Sequence, residues 1–453
     1  MSNVKSMRVI PGLLATVALA AVLAGCGQTG AAGSAASAVP ESSLAYVSVD
    51  TSFEGDQWRA VSGLLERFPD GEGLLEEVLE RASAEAGLES DSDLRSALGP
   101  EAALVVLEAP SGAGDDPPVV ILTKPEDEDA FAELVEGADA ARAEVRGWQA
   151  VAETEADLER YREALDAGSL EGTDAFEEAM DDLPADALAR VYVNGAALAE
   201  AASDLQPGAV PMPFDLAGGT GSLGAALVAE DDGVRVEGRA VATGETDAPE
   251  LEPFESELVE EVPAGTVAFL AFNDLGSALE RFGESLGAGA APLPFELGEV
   301  TGLLSGEIAL YVRPGPTVTL VVEVEDEAVA LATVESLLGL AGGRAPVVYD
   351  AFDGLLAVSN SQDELDALRG DGPRLDQDDR FEAALDAAGM PDETSGFGYV
   401  DVRAAVPLLA GLAPAPGAAE SLPTEYLEPL GGLVFWGERA GDVQRFSLFL
   451  AVD

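Results

Sequence analysis

The sequence predicts an α+β fold of two homologous halves, each with a largely antiparallel sheet and packed helices built from strand-helix-hairpin units. Three observations predict it. A strand, a helix and a hairpin follow one another in four successive copies along the chain. The first two copies match the last two in register: Gly147 and Gly354 stand 207 positions apart, as do Leu158 and Leu365, Val193 and Val400, and Leu223 and Leu430. The chain of 453 residues is 47% hydrophobic, enough to fill a core in each half.

In the first copy, Leu44 to Asp50 alternates in polarity and is β-branched, so it reads as a strand. Helical spacing follows through Trp58, Val61, Leu64, Leu65 and Phe68, then again from Leu74 to Ala86. Ala102 to Leu107 and Val119 to Thr123 read as a hairpin across the Gly/Pro/Asp-rich loop 111–118. The second copy opens at Leu188 to Asn194, continues as a helix from Ala196 to Ala202, and closes with strands Leu223 to Ala229 and Val234 to Ala242. The third opens at Thr266 to Asn273 and has its hairpin at Glu307 to Val312 and Thr317 to Val324. The fourth opens at Gly396 to Asp401 and ends with Gly432 to Trp436 and Val443 to Val452. Every opening strand ends in Asp or Asn, which places N-cap chemistry at Asp50, Asn194, Asn273 and Asp401.

An insert of different pattern separates copies one and two, and again three and four. The first holds a helix around Phe131 to Val135, a strand from Gly147 to Ala152 and a helix from Asp157 to Leu165. The second holds the counterparts Val329 to Leu338, Gly354 to Ser359 and Glu364 to Leu368. A repeat this long and composite indicates two α+β domains and not a solenoid. The halves are residues 40–243 and 253–453, joined by the polar, proline-containing stretch Thr243 to Pro253. Trp58, Trp148 and Trp436 fall within periodic segments and are expected in the core.

The N-terminus carries the one residue with a chemical assignment. Val9 to Leu23 is almost wholly apolar, follows Lys5 and Arg8, and ends in small residues, the layout of a secretory leader over residues 1–25. It is too short to span a membrane comfortably. Its ending, Leu23-Ala24-Gly25-Cys26, resembles the bacterial lipobox, which implies cleavage between Gly25 and Cys26 and a lipid on the Cys26 thiol. Cys26 is the single cysteine, so no intramolecular disulfide is available despite the exported context. The Gly/Ala/Ser-rich residues that follow complete a lipidated and flexible tether over residues 26–39, about 20 Å end to end by random-coil scaling.

Charge excludes several classes of function. Eighty-five carboxylates face 23 basic residues, for a net charge of −62. Loss of the leader, with Lys5, Arg8 and no acid, makes it −64. Nucleic acid and anionic surfaces are therefore excluded as partners. There is no histidine, and the two lysines are Lys5 and Lys124, so the usual general bases and imidazole ligands are missing. The acidic runs Glu126-Asp127-Glu128-Asp129 and Asp376-Gln377-Asp378-Asp379 do not follow the EF-hand pattern. The glycines at 218–221 lack a phosphate-loop lysine, and Gly342-Gly343-Arg344 follows a helical pattern where that motif precedes one. No catalytic residue, cofactor or metal site is expected.

The leader, the lipobox, the tether, the opening Pro40 to Asp50 (Pro-x-x-x-Leu-Ala-Tyr-Val-x-Val-Asp) and the Phe-x-x-Ala…Tyr-Val-Asp block from Phe381 to Asp401, echoed from Phe176 to Asn194, resemble the domain of unknown function 3352 family of bacterial exported and lipid-anchored proteins. The resemblance covers nearly the whole mature chain. It implies an extracytoplasmic compartment and this general architecture, with no established activity or catalytic residues to carry over.

The expectation is thus a non-enzymatic, lipid-anchored protein of the extracytoplasmic membrane face that binds or scaffolds at the cell envelope, with an envelope protein or an apolar ligand as partner. A carrier of apolar ligands and a carboxylate-dependent hydrolase are the alternatives. Pro211 to Leu216 and Pro292 to Leu297 repeat one proline-rich apolar pattern, making Phe214 and Phe295 candidate contact loops, or simple caps on the core. A body this acidic repels itself in dilute buffer. Its thermal midpoint should rise as salt is added, and a flat response would show that the carboxylates are not a salt-suited surface.

Overall fold

The computed structural model describes residues 34–71, 73–86, 88, 90–110, 116–138, 140–203, 220–242, 252–277, 297–315, 317–340, 347–412 and 424–453. The chain forms two compact units: residues up to Thr246 together with Asp442–Arg445, and Asp247–Gly441 together with Phe446–Asp453.

Unit one contains β1 (Ala45–Asp50), α1 (Asp56–Leu65), α2 (Leu74–Ala86), α3 (Asp91–Leu98), β2 (Glu101–Val106), β3 (Val119–Thr123), α4 (Glu128–Gly137), β4 (Ala141–Val145), β5 (Trp148–Ala152), α5 (Glu155–Ala167), α6 (Asp174–Met180), β6 (Ala189–Asn194), α7 (Gly195–Ser203), β7 (Thr220–Glu230) and β8 (Gly233–Ala242). Its strands lie in the order β4-β5-β3-β2-β1-β6-β7-β8, every neighbouring pair antiparallel.

Unit two contains β9 (Ala268–Asn273), α8 (Leu297–Leu303), β10 (Glu307–Arg313), β11 (Thr317–Glu323), α9 (Glu327–Leu340), β12 (Val348–Phe352), β13 (Leu355–Ser359), α10 (Gln362–Arg369), α11 (Asp379–Ala388), β14 (Phe397–Asp401), α12 (Val402–Leu412), β15 (Leu430–Ala440) and β16 (Val443–Val452). Its order, β12-β13-β11-β10-β9-β14-β15-β16, is that of unit one element for element. The α+β class is the observed one.

One face of each sheet carries the core, because alternate strand residues point to one side. In unit one, Tyr46, Val105, Val120, Ala150 and Tyr192 pack under Leu158, Tyr161 and Leu165 of α5 and Phe176 and Ala179 of α6. In unit two, Phe269, Ala309, Val321, Ala357 and Tyr399 pack under Leu365 of α10 and Phe381 and Ala384 of α11. The same aromatic arrangement recurs at the centre of both. Phe176 meets Tyr46 and Tyr192 edge-on at 6.2 and 5.3 Å between centroids. Phe381 meets Phe269 and Tyr399 edge-on at 6.4 and 5.0 Å. Each such pair adds about 0.5–1.5 kcal/mol beyond burial alone. Trp58, Trp148 and Trp436 are all buried.

Several features differ from the expectation. β4 and β12 are additional strands, each closing a hairpin whose two turn residues both have positive φ: Arg146 and Gly147 in one, Asp353 and Gly354 in the other. That is the type I′ geometry matching strand twist, and glycine at its second position avoids the Cβ clash. β4, Ala141-Arg-Ala-Glu-Val145, alternates in polarity as a half-buried strand does, but four of its five residues are alanine, arginine or glutamate, poor strand formers, so it is easily missed. α3 is likewise additional.

The caps also differ. Asn194 and Asp401 accept from the N–H three residues on, Ala197 and Ala404, each at 3.0 Å. Asp50 instead closes a local turn by accepting from the Ser52 N–H at 2.8 Å, and α1 starts only at Asp56. In the third copy the acceptor is Asp274, one residue beyond Asn273, taking the Ser277 N–H at 3.2 Å. The register shifts as well. Val193 pairs with Leu223 and Val400 with Leu433, so the counterpart of Leu223 is Leu433 and not Leu430. The connection into β15 is three residues longer than that into β7, as 430 and 433 measure.

The tether ends earlier than its composition suggests. Ser34–Ala38 is a 3-10 helix, and Ala35, Ala36, Ala38 and Val39 are fully buried in the unit-one core. Leu170 N–H donates to the Val39 carbonyl at 2.9 Å, and Tyr161 Oη–H to the Ala38 carbonyl at 2.6 Å. Alanine and serine read as linker because they lack bulk, but that lack lets a backbone approach the helices closely. Tyr161→Phe keeps the ring and removes the donor, leaving the Ala38 carbonyl buried and unpaired. A loss of about 1–3 kcal/mol in denaturant unfolding is expected, with faster amide exchange at Leu170. Unchanged exchange there would show that alanine packing alone holds the segment.

Candidate functional site

The residues singled out from the sequence, Gly25, Cys26, Phe214 and Phe295, lie outside the described residues. The described site is elsewhere: an open groove of about 1660 Å³ within unit two. Four pieces of chain form it. They are the strap 255–261 ahead of β9, the exposed side of α8, the stretch from the end of β11 into α9, and the β12–β13 turn. Eight carboxylates line it: Glu255, Glu257, Glu260, Glu261, Glu323, Glu325, Asp326 and Asp353. Among the described residues no Lys or Arg lines it, and no ion pair involves any of the eight. Apolar surface is interspersed, above all Val329 of α9, which is 61% exposed.

The strap is held by a buried acid that the sequence does not single out. Glu307, the first residue of β10, is 4% exposed. Its carboxylate accepts from the Ser256 hydroxyl and from the N–H groups of Glu257 and Leu258, at 2.8 and 3.1 Å for the amides. These bonds satisfy the first donors of the 3-10 turn Leu258–Glu260. The Glu307 N–H in turn donates to Glu323 at 3.3 Å. Arg374 secures the far end of the strap, donating to the Glu261 carbonyl at 2.8 Å and to the carbonyls of Leu368 and Gly370. Only the charge of Glu307 at the head of an apolar strand hinted at this role.

Comparison of the two units explains why the groove is open. Asp127 caps α4 by accepting from the N–H groups two and three residues on, and Asp326 caps α9 identically. Matching the caps places Ala330 where unit one has Phe131, and both positions are buried. In unit one, Phe131 fills the space beside Ala97 of α3, and the Ser96 carbonyl accepts from the N–H groups of Glu126 and Asp127 at 2.8 and 3.1 Å. In unit two, Gly302 of α8 takes the Ser96 position, five residues ahead of the first paired residue of its strand (Glu307, as Glu101 in unit one), and its carbonyl accepts from the Ser305 hydroxyl at 2.9 Å. Cβ atoms placed on Gly298 or Gly302 would meet nothing within 4 Å. Unit two thus has alanine where unit one has phenylalanine, buried against Ile308, Val322 and Val334 with Leu303 and Leu304 packed beside it, while the exposed Gly302 leaves the α8 wall of the groove without a side chain.

Among the described residues there is no group of three or more ligating side chains placed to hold a metal ion. What the arrangement offers is a concave, negatively charged surface with apolar patches, a site for recognition.

Burial raises the Glu307 pKa above the usual carboxyl range. The bonds from Ser256, Leu258 and Glu257 oppose that rise, and the nearby Glu323 charge adds to it. The folded state therefore binds this proton more tightly than the unfolded chain. Stability from the protonated group is fully present below the ordinary carboxyl pKa and is lost as pH rises through the raised folded value. Glu307→Gln preserves all three contacts, since its amide can donate to Ser256 Oγ, and it cannot ionise. Its denaturant midpoint should move upward relative to the parent as pH rises above the ordinary carboxyl range. A constant difference across that range would rule out ionisation at this position as a source of pH dependence.

No protein-family model matches the sequence, and comparison with curated proteins gives no match. Among solved structures the chain is similar to one titled "Structure of crystal form IV of TP0453", at 12% identity and a TM-score of 0.25, over 42% of this chain and 79% of that one, a likeness too slight to argue from.

Proposed function

We propose that this chain is a lipid-anchored protein of the extracytoplasmic membrane face, similar to the domain of unknown function 3352 family, that binds or scaffolds at the cell envelope without catalysing a reaction. The observation that carries the reading is the single cysteine, Cys26, closing an apolar leader after Leu23-Ala24-Gly25. Thioether attachment of a diacylglycerol gives two acyl chains, the number needed for stable anchoring. The packed body beginning at Ser34, a few residues further on, is consistent with a protein held close to a surface.

Binding is favoured over chemistry by the way the groove uses its acids. Glu307, the buried one, is committed to the strap, and Asp326 to the α9 cap. The other acids stand on a solvent-facing rim, where they can meet the charge of a partner. The acid-rich exterior suits a saline medium.

Replacement of Cys26 by Ser should move the protein from the detergent phase to the aqueous phase in Triton X-114 partitioning and abolish incorporation of labelled fatty acid. Retention of the variant in the detergent phase would refute the anchor. Turnover of an envelope substrate by purified protein, lost on one carboxylate substitution, would refute the non-catalytic reading.

A further inference from the structure

We propose that the groove between α8 and α9 of unit two is a docking site for an amphipathic segment of another protein that carries lysine or arginine. The inference rests on the reading of this chain as a binding protein, and it does not depend on Cys26. Three observations carry it.

The first is size. At about 1660 Å³ the open groove exceeds the roughly 300–1,000 Å³ of ordinary small-molecule sites, and along α8 Gly298 and Gly302 leave it unfilled. An extended segment fits such a trough better than a compact metabolite.

The second is charge. Glu255, Glu257, Glu260 and Glu261 of the strap line the same groove as Glu325 and Asp326 ahead of α9, with no cation among the described lining residues. Arg374 donates to the Glu261, Leu368 and Gly370 carbonyls and, among the described residues, makes no ion pair with a strap carboxylate, so one cation stands against the four acids of the strap. Carboxylates around a concave surface concentrate the field there and raise both the encounter rate and the preference for a positive partner. The same field, and the net charge of −62, oppose a second copy of this chain as the occupant.

The third is the internal contrast. Unit one closes the equivalent space with Phe131 and with the Ser96 carbonyl latched to the start of α4, whereas unit two has Ala330 and Gly302 there and leaves Val329 exposed. One strand order therefore builds a filled site once and an open, acid-walled site once. The exposed Val329 supplies apolar surface for the alkyl stems or leucines of a bound segment.

The test uses the full-length protein in detergent and a fluorescent peptide of about ten residues alternating lysine and leucine, followed by anisotropy at ~0.15 M salt. Two groove variants are compared with the parent: Ala330→Phe, which restores the unit-one filling, and the pair Glu260→Gln with Glu261→Gln. A charge-matched control pair, Glu155→Gln with Glu159→Gln, lies on α5 of unit one. Both groove variants should weaken binding about tenfold or more, and the control should leave it unchanged. Gly302→Leu is a second filling variant, since its side chain enters open space, and should act like Ala330→Phe if the latter melts early.

Equal loss in the groove and control pairs would reveal attraction to the whole acidic surface and overturn the proposal. So would unchanged binding in both filling variants, or equal binding of a glutamate–leucine peptide. Tight groove binding of spermine without binding of the peptide would replace a protein segment with a polyamine and overturn it too. None of these outcomes touches the membrane retention tested at Cys26, so failure of the groove and failure of the anchor are told apart.

Discussion

The contact on which each unit depends is the edge-on meeting of one helical phenylalanine with two strand aromatics. Phe176 bridges Tyr46 on β1 and Tyr192 on β6, and Phe381 bridges Phe269 on β9 and Tyr399 on β14. In both units the two bridged strands are hydrogen-bonded neighbours far apart in sequence. The phenylalanine lies on the helix just ahead of the later strand, so local chain and distant strand are fixed by one side chain. Strand alternation then places every other residue of the sheet on the packed face, and α5 or α10 covers what remains. The same arrangement recurs at the same place in an identical strand order in both units.

Much of this was legible in the sequence because the periodic signals were strong. The helix Leu74–Ala86 and the strands Val119–Thr123 and Val443–Val452 are observed with the limits their patterns indicate. What was not legible has identifiable causes. β4 and β12 are short strands; β4 alternates in polarity but is built largely of weak strand formers, and Asp350 interrupts the apolar run of β12. The 207-residue spacing fails at β15 because the loop before it is longer, a change that leaves the apolar pattern intact and is visible only in pairing. Ser34–Val39 lacks any periodic signal, and its burial depends on partners more than a hundred positions away, such as Tyr161. The groove was illegible for the same reason: it is walled by segments far apart in sequence, the strap 255–261, α8 with its bare Gly302, and the start of α9.

Charge plays different parts at different depths. At the surface, most acids face water, and ion pairs such as Arg81 with Glu77 are exposed and contribute little. At helix starts, Asp127, Asp326 and Asp378 accept backbone N–H groups and complement the helix dipole. Beneath the surface, Glu307 holds the strap of unit two through three donors. An acidic composition therefore does not imply a uniform role for its carboxylates, and those with structural duties are distinguished by what they accept.

The buried 3-10 helix at Ser34–Ala38 has a geometric consequence. If Cys26 carries the lipid, as proposed, only Gly27 to Gly33 separate the acyl chains from the packed body, a span that cannot exceed about 25 Å whatever its conformation. A body on so short a leash searches a thin layer above the bilayer and not the surrounding volume. Its encounters with other membrane-bound molecules are then set by effective concentration in that layer, in the millimolar range for short linkers, so weak individual contacts suffice for stable association.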